Sequence, residues 1–255
     1  MKVLMIGDIY GTPGLEALQY FLPQLKKEFQ PHIIIVNAEN AANGRGINQS
    51  IYKSLMSLGI HVLTMGNHVF ANKELETFIE HANIVRPMNY LQAPGKGYHV
   101  IQFNNEKVLV MNVLGQAFMN QHVQSPFLTI DTMLKSIDHD IAILDIHAEA
   151  TSEKIALGHY FDGRIDIMFG THTHVQTHDS RMLPKGSFYI TDIGMSGPLN
   201  GVIGVKKDIV IDRFINGYSL PNVVEDGPVQ LNGWYVDTQF KKHQLIHLER
   251  EEIKK

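Results

Sequence analysis

Short apolar runs, each ended abruptly by a polar residue, recur along the chain. MKVLMIG runs into Asp8, HIIIVNA into Glu39-Asn40, and HVLTMG into Asn67-His68. DIAILDI runs into His147, and RIDIMFGT into His172-Thr173-His174. Runs of this length, rich in Val, Ile and Leu and bounded by Gly or polar residues, predict buried strands. Between them lie helix signals. Thr12-Pro13 predicts an N-cap followed by Pro at the first helical position, with a helix reaching about Phe29. Asn48 predicts the cap of a second helix ending at Gly59, and Asn72 that of a third reaching about His81. Tyr98–Phe103 and 107–114 flank Asn104-Asn105, a pair suited to a hairpin turn. Residues 129–137 and Thr151–Phe161 predict further helices. From Ser187 onward the pattern is strand-like, with alternation over 234–240 and 244–248. No repeat, low-complexity tract or linker interrupts this order, so one domain spanning 1–255 is expected.

Composition narrows the chemistry. A chain of 255 residues, 44% hydrophobic and 19% charged, can bury a substantial core. It has no cysteine, which excludes disulfides and thiolate ligands together. Any metal must therefore be held by His, carboxylate, amide or water. The apolar start is broken by Gly7-Asp8 and does not read as a signal peptide. No run approaches the roughly 18–20 apolar residues of a membrane span, and the expected location is the cytoplasm. Net charge is −4, and Lys206-Lys207 and Lys254-Lys255 are isolated pairs. Such a surface speaks against extended nucleic acid, which normally meets a basic face. A small phosphorylated substrate suits it better.

In α/β sheets, sites form in the crevice beyond the carboxyl ends of the strands. Strand ends that all carry O or N ligands predict one site built along the length of the sheet, filled by a pair of divalent ions. Each residue alone has a plainer reading. Asp8 suits a loop before a helix, and Asn67-His68 suits a strand-ending turn, where Asn tolerates left-handed geometry. In an extended segment His172 and His174 point the same way, so both imidazoles enter one crevice. The coincidence of five such ends carries the metal reading.

Asp8 in GDIYG, Glu39-Asn40 in NAEN, Gly66-Asn67-His68, His147 in HAEA and Gly170-Thr171-His172-Thr173-His174 stand in a telling order. It resembles that of the calcineurin-like metallophosphoesterases: Asp-x-His, Gly-Asp-x-x-Asp, Gly-Asn-His, a lone His, then Gly-His-x-His. Tyr10 stands where the first motif usually has its His, and Glu39 where the bridging Asp is usual. With these departures, GDIYGTPG, NAENAANGRGI, MGNHVF, HAEATSEK, FGTHTHVQT and TDIGMSGP resemble the YmdB-like branch of bacterial phosphodiesterases over nearly the whole chain.

The resemblance implies an α/β (α+β) four-layer sandwich, metallophosphatase-like, with two packed mixed β-sheets flanked by helices. It implies one ion on Asp8, Glu39, Asn40 and His174, and another on Glu39, Asn67, His147 and His172, with Glu39 bridging. The Asn40 amide oxygen would replace the imidazole lost at Tyr10. Oxygen and imidazole ligands suit Fe, Mn or Zn; the family orders iron first and manganese second. The expected reaction is hydrolysis of a small phosphodiester by metal-activated hydroxide. The expected substrate is a 2′,3′- or 3′,5′-cyclic nucleotide. His68 is expected to serve the leaving group as catalytic acid, with orientation of a ligand as the alternative. A phosphomonoesterase on the same centre remains open. So does a regulatory binder of nucleotide or RNA-linked partners with low turnover. Arg45 in Asn43-Gly44-Arg45-Gly46, and Gly194 and Ser196 in DIGMSGP, are candidate substrate contacts, against a plain turn and simple packing. Oligomeric state is left open.

Overall fold

The computed structural model describes residues 1–218 and 220–251; the Lys254-Lys255 pair lies outside them. In chain order the first elements are β1 (Lys2–Ile6), β2 (Asp8–Ile9), α1 (Gly11–Phe29), β3 (Ile33–Asn37), α2 (Gln49–Ser57), β4 (Val62–Thr64) and β5 (Ile84–Val85). Then come β6 (Tyr98–Phe103), β7 (Glu106–Leu114), α3 (Pro126–Ser136), β8 (Ile141–His147), α4 (Thr151–Phe161) and β9 (Ile167–Thr171). The last are β10 (Arg181–Met182), β11 (Phe188–Ile190), β12 (Met195–Pro198), α5 (Lys207–Asn216), β13 (Val229–Asp237) and β14 (Lys242–Arg250).

The strands form two mixed sheets. One runs β2-β12-β13-β1-β3-β4-β5 with β14 on β13; the other runs β10-β11-β9-β8-β7-β6. Alternation along each strand builds the layers, because successive side chains face opposite ways. In β1, Val3 and Met5 enter a core shared with Val108, Ile143 and Ile167 of the other sheet. Leu4 and Ile6 point outward, under Leu18, Leu22 and Leu25 of α1 and Leu55 of α2. On the far side, Leu109, Ala142 and Leu144 pack beneath Ile130 of α3 and Leu157 and Phe161 of α4. The result is helix, sheet, sheet, helix. Strands covered on both faces need apolar side chains throughout, which is why the sequence shows unbroken runs.

The five runs that end toward the candidate ligands are strands, with Asp8 itself opening β2, but the picture of one continuous sheet is corrected. β1, β3 and β4 belong to one sheet and β8 and β9 to the other. Local readings also shift. Asn48 does cap α2, accepting from Ile51 N at 2.8 Å. Helix α1 starts at Gly11 with Tyr10 at its cap, so Thr12 lies inside it. Asn72 accepts from Glu74 N, yet two short 3₁₀ segments follow, Lys73–Thr77 and Ile79–His81, separated at Phe78 (φ −133°). The Asn104-Asn105 turn joins β6 to β7 in antiparallel register. Helix α5 replaces a stretch read as strand-like. Its Ile209, Val210, Ile211 and Ile215 mimic strand propensity, and Gly217 in the left-handed region (φ 74°) ends it.

Candidate metal centre

The candidate side chains meet where the two sheets abut. Glu39 follows β3 in a turn whose first N–H, its own, donates to Asn37 Oδ1 at 3.2 Å. Its Oε2 accepts from His68 N at 2.9 Å, and its Oε1 lies 3.1 Å from His147 Nε2. Asn67 turns its amide oxygen to the same His147 Nε2 at 2.9 Å. His172 Nδ1 stands 3.1 Å from His147 Nε2. His174 Nε2 faces the Asn40 amide nitrogen at 3.2 Å; ligation through the Asn40 oxygen therefore requires that amide to turn over. Asp8 Oδ2 accepts from His172 N at 3.1 Å, while Asp8 Oδ1 is buried with no hydrogen-bond partner.

Backbone geometry sharpens this arrangement. The segment carrying His172 and His174 is not extended, correcting the sequence expectation: both residues adopt positive φ, 98° and 65°. Non-Gly residues held there cost of order 1–3 kcal/mol and persist only where the surroundings enforce them. The enforcement is visible. Lys154 Nζ donates to Thr171 O and to Asp192 Oδ2, each at 2.8 Å. Asp192 Oδ2 also accepts from Thr173 N at 3.1 Å and from Thr173 Oγ1 at 2.8 Å. This ion pair is fully buried on both sides. Gly66 has no room for a side chain, since a Cβ would sit 2.3 Å from both Glu39 Oε2 and His147 Nε2.

Each histidine has its remaining nitrogen engaged. His147 Nδ1 lies 2.8 Å from Thr171 Oγ1, which donates at 2.7 Å to Asp145 Oδ1. His174 Nδ1 donates to Ile203 O at 2.9 Å. His172 Nε2 is 3.2 Å from Glu149 Oε2. Such partners fix the tautomer and leave the opposite nitrogen free as a ligand. Tyr10, in place of the usual imidazole, packs edge-on against His174 with ring centroids 5.5 Å apart.

Electrostatics point the same way. Burial raises the Glu39 pKa, but the adjacent His147 overcomes it and the net shift is downward. For His147, burial acts downward, and Glu39, Asp8 and Asp145 reverse it to a net rise. These carboxylates favour positive charge at His147, whether proton or metal ion. Burial, reinforced by His147, pushes His172 down to about 3. Burial also lowers His68, against the pull of Glu39. Asp145, buried but hydrogen-bonded, rises to about 6. The ligand atoms of Glu39, His147 and His172 lie within 4.8 Å of one another, close enough to share one cation.

A cavity of about 800 Å³ opens over the cluster, lined by Glu39, Asn40, His68, His172 and His174 together with Arg45, Glu149 and Arg213. Asp8 and His147 are buried and Asn67 is partly so, and none of the three lines it. Arg45, from the Asn43-Gly44-Arg45-Gly46 loop, lines the cavity. Gly194 and Ser196 do not, and their assignment as substrate contacts is corrected. Both are buried. Gly194 accepts from Asp8 N at 3.2 Å, and Ser196 pairs through Oγ with the Asn232 main chain. They position Asp8 and Tyr10 instead of touching the cavity.

Lys154, Asp192, Asp145 and Glu149 escaped the sequence reading. Lys154 and Glu149 stood in plain sight within HAEATSEK, and Asp192 opens DIGMSGP, but their partners come from other strands. Breaking a buried pair by removing one partner typically costs about 3–5 kcal/mol. Lys154→Met is therefore expected to lower unfolding free energy by about that amount in urea denaturation. A loss below about 1 kcal/mol would show that the pair does not hold the 171–174 segment.

Comparison with known proteins bears on the family and the fold. The chain is 41% identical over 254 residues to a Bacillus subtilis protein named 2′,3′-cyclic-nucleotide 2′-phosphodiesterase, covering 98% of this chain and 96% of that one. A crystal structure of a hypothetical protein from Thermus thermophilus superposes with TM-score 0.92 at 36% identity, over 99% of this chain and all of that one. A novel phosphatase from Mycoplasma pneumoniae gives TM-score 0.91 at 37% identity, over 99% and 94%. Two mixed sheets flanked by helices are thus the fold, as the resemblance implied. Residues 4–250 match the family described as YmdB-like protein, and the chain belongs to that family.

Proposed function

We propose that the protein hydrolyses small phosphodiesters, cyclic nucleotides foremost, at a centre holding two divalent metal ions. The observation that carries this is the convergence of Glu39, His147 and His172 on a common point. The buried, unpartnered Asp8 Oδ1 and the space kept by Gly66 suit the same centre. One ion falls to Asp8, Glu39, Asn40 and His174, the other to Glu39, Asn67, His147 and His172, with Glu39 shared. A donor set of oxygen and imidazole without thiolate suits Fe, Mn or Zn.

Such an ion pair, when bound, acidifies a water and neutralises the phosphoryl oxygens. The chain's own residues supply the rest. Arg45, on the cavity wall beside the centre, binds phosphate oxygens through its planar guanidinium. His68 lines the same cavity and serves the leaving oxygen. The Bacillus relative's name specifies a 2′,3′-cyclic nucleotide opened at the 2′ position. A ribose oxygen leaves as a basic alkoxide, which is where a proton donor helps most. The burial that lowers the His68 pKa would be opposed by the anionic phosphate drawn in beside it.

Two measurements test this reading. Protein purified without chelator is expected to carry close to two transition-metal ions per chain. Because binding displaces the proton that the carboxylates favour on His147, metal affinity should fall as pH falls. A preparation that neither contains nor takes up Mn or Fe removes the centre. Reconstituted protein is then offered a chromogenic diester and the matching monoester. Preferential diester cleavage supports the proposal, monoester preference replaces it with a phosphatase, and tight binding without turnover replaces it with a binder.

A further inference from the structure

Glu149 lies two residues beyond β8, with its side chain half-exposed at 51% and on the wall of the cavity. Its Oε2 is 3.2 Å from His172 Nε2, while the other nitrogen of that ring faces His147 Nε2. The three histidines of the cluster are thus steadied in different ways. His147 leans on a hydroxyl and His174 on a main-chain carbonyl, both neutral. His172 alone has an acidic side chain at its outer nitrogen. Its ring also hangs from the residue with the most positive φ among the non-glycine residues described, 98°. Unlike His147, which is wholly buried, it is open at the side chain by 22%. Packing constrains it less, so its orientation depends more on a specific partner.

We propose that Glu149 is a positioning residue of the metal centre. It accepts the His172 Nε2–H, turns Nδ1 toward the ion, and strengthens that nitrogen as a donor through its negative charge. This rests on the two-ion reading above. A carboxylate behind a ligating imidazole typically changes metal affinity by about 10–100-fold. The effect should fall on the ion that His172 holds and spare the one on His174.

The test is titration of chelator-stripped wild type, Glu149→Gln and Glu149→Ala with Mn²⁺, following free Mn²⁺ by its paramagnetic resonance signal. Metal-free thermal unfolding is measured in parallel. In Glu149→Ala, one of the two ions is expected to bind about 10–100-fold more weakly, with the other unchanged. Glu149→Gln, which keeps an acceptor oxygen but not the charge, should fall between. Metal-free Tm should match wild type, because the side chain is half-exposed. Wild-type affinity for both ions in Glu149→Ala overturns the proposal. So does equal weakening of both ions accompanied by a lower metal-free Tm, which would mark Glu149 as a folding contact. Failure of wild type itself to bind two ions would instead remove the metal reading, and this inference with it.

Discussion

Glu39→Gln is expected to empty both metal positions together and leave no measurable turnover. Glu39 is the carboxylate at the meeting point: Oε1 faces His147 and Oε2 takes the His68 amide. Replacing it with an amide removes the charge shared by both ions while nearly preserving shape. The loss in affinity should exceed the about 10–100-fold associated with partners one step removed from a metal. Asn40→Ala supplies the contrast. Asn40 stands beside His174, so its removal should weaken mainly the ion on Asp8 and His174. Metal stoichiometry after gel filtration in metal-free buffer separates the two variants. If Glu39→Gln retained both ions at full activity, the shared-ligand assignment would fail.

His68→Ala should behave in the opposite way, keeping both ions and losing rate. Its ring lines the cavity, with Nε2 3.5 Å from the Asn67 amide nitrogen. Its backbone N–H, which serves Glu39, survives the substitution. Proton donation to a leaving group is typically worth about 10²–10⁴-fold. That loss should appear in full for cyclic nucleotides, whose ribose oxygen needs a proton, and shrink for nitrophenolate, which does not. Equal losses on both substrates with metals retained would assign His68 to holding phosphate. Loss of metal would make it a support of Asn67, and the leaving-group role would fall.

The candidate cluster was partly legible because each proposed ligand ends an apolar run; that the runs divide between two sheets whose ends meet was not. Asp8, Glu39, Asn67 and His147 follow from that rule. His172 and His174 were found by type but not by geometry: their positive φ values depend on Lys154 and Asp192, which meet only through the fold. Helix α5 was hidden by its β-branched residues, a weak propensity that context overrides. Gly194 and Ser196 misled for a related reason. A glycine-bearing loop looks the same in sequence whether it covers a cavity or lets two backbones pass closely, and here a Cβ on Gly7 would meet Gly194 O at 1.9 Å.

The seam between the sheets has a mechanical meaning. Asp8, Glu39, Asn40 and Asn67 extend from the strands of one sheet, and His147, His172 and His174 from the other. Ions gripped by both sets would act as rivets, resisting any slide of one sheet over its neighbour, and their binding energy would add to the stability of the folded state. Conversely, Met5, Ile35, Val110 and Trp234 pack in the layer between, and they would set the spacing of the rivet holes. Interiors transmit small volume changes instead of absorbing them, so such a centre would be tuned from beneath as well as from the cavity above.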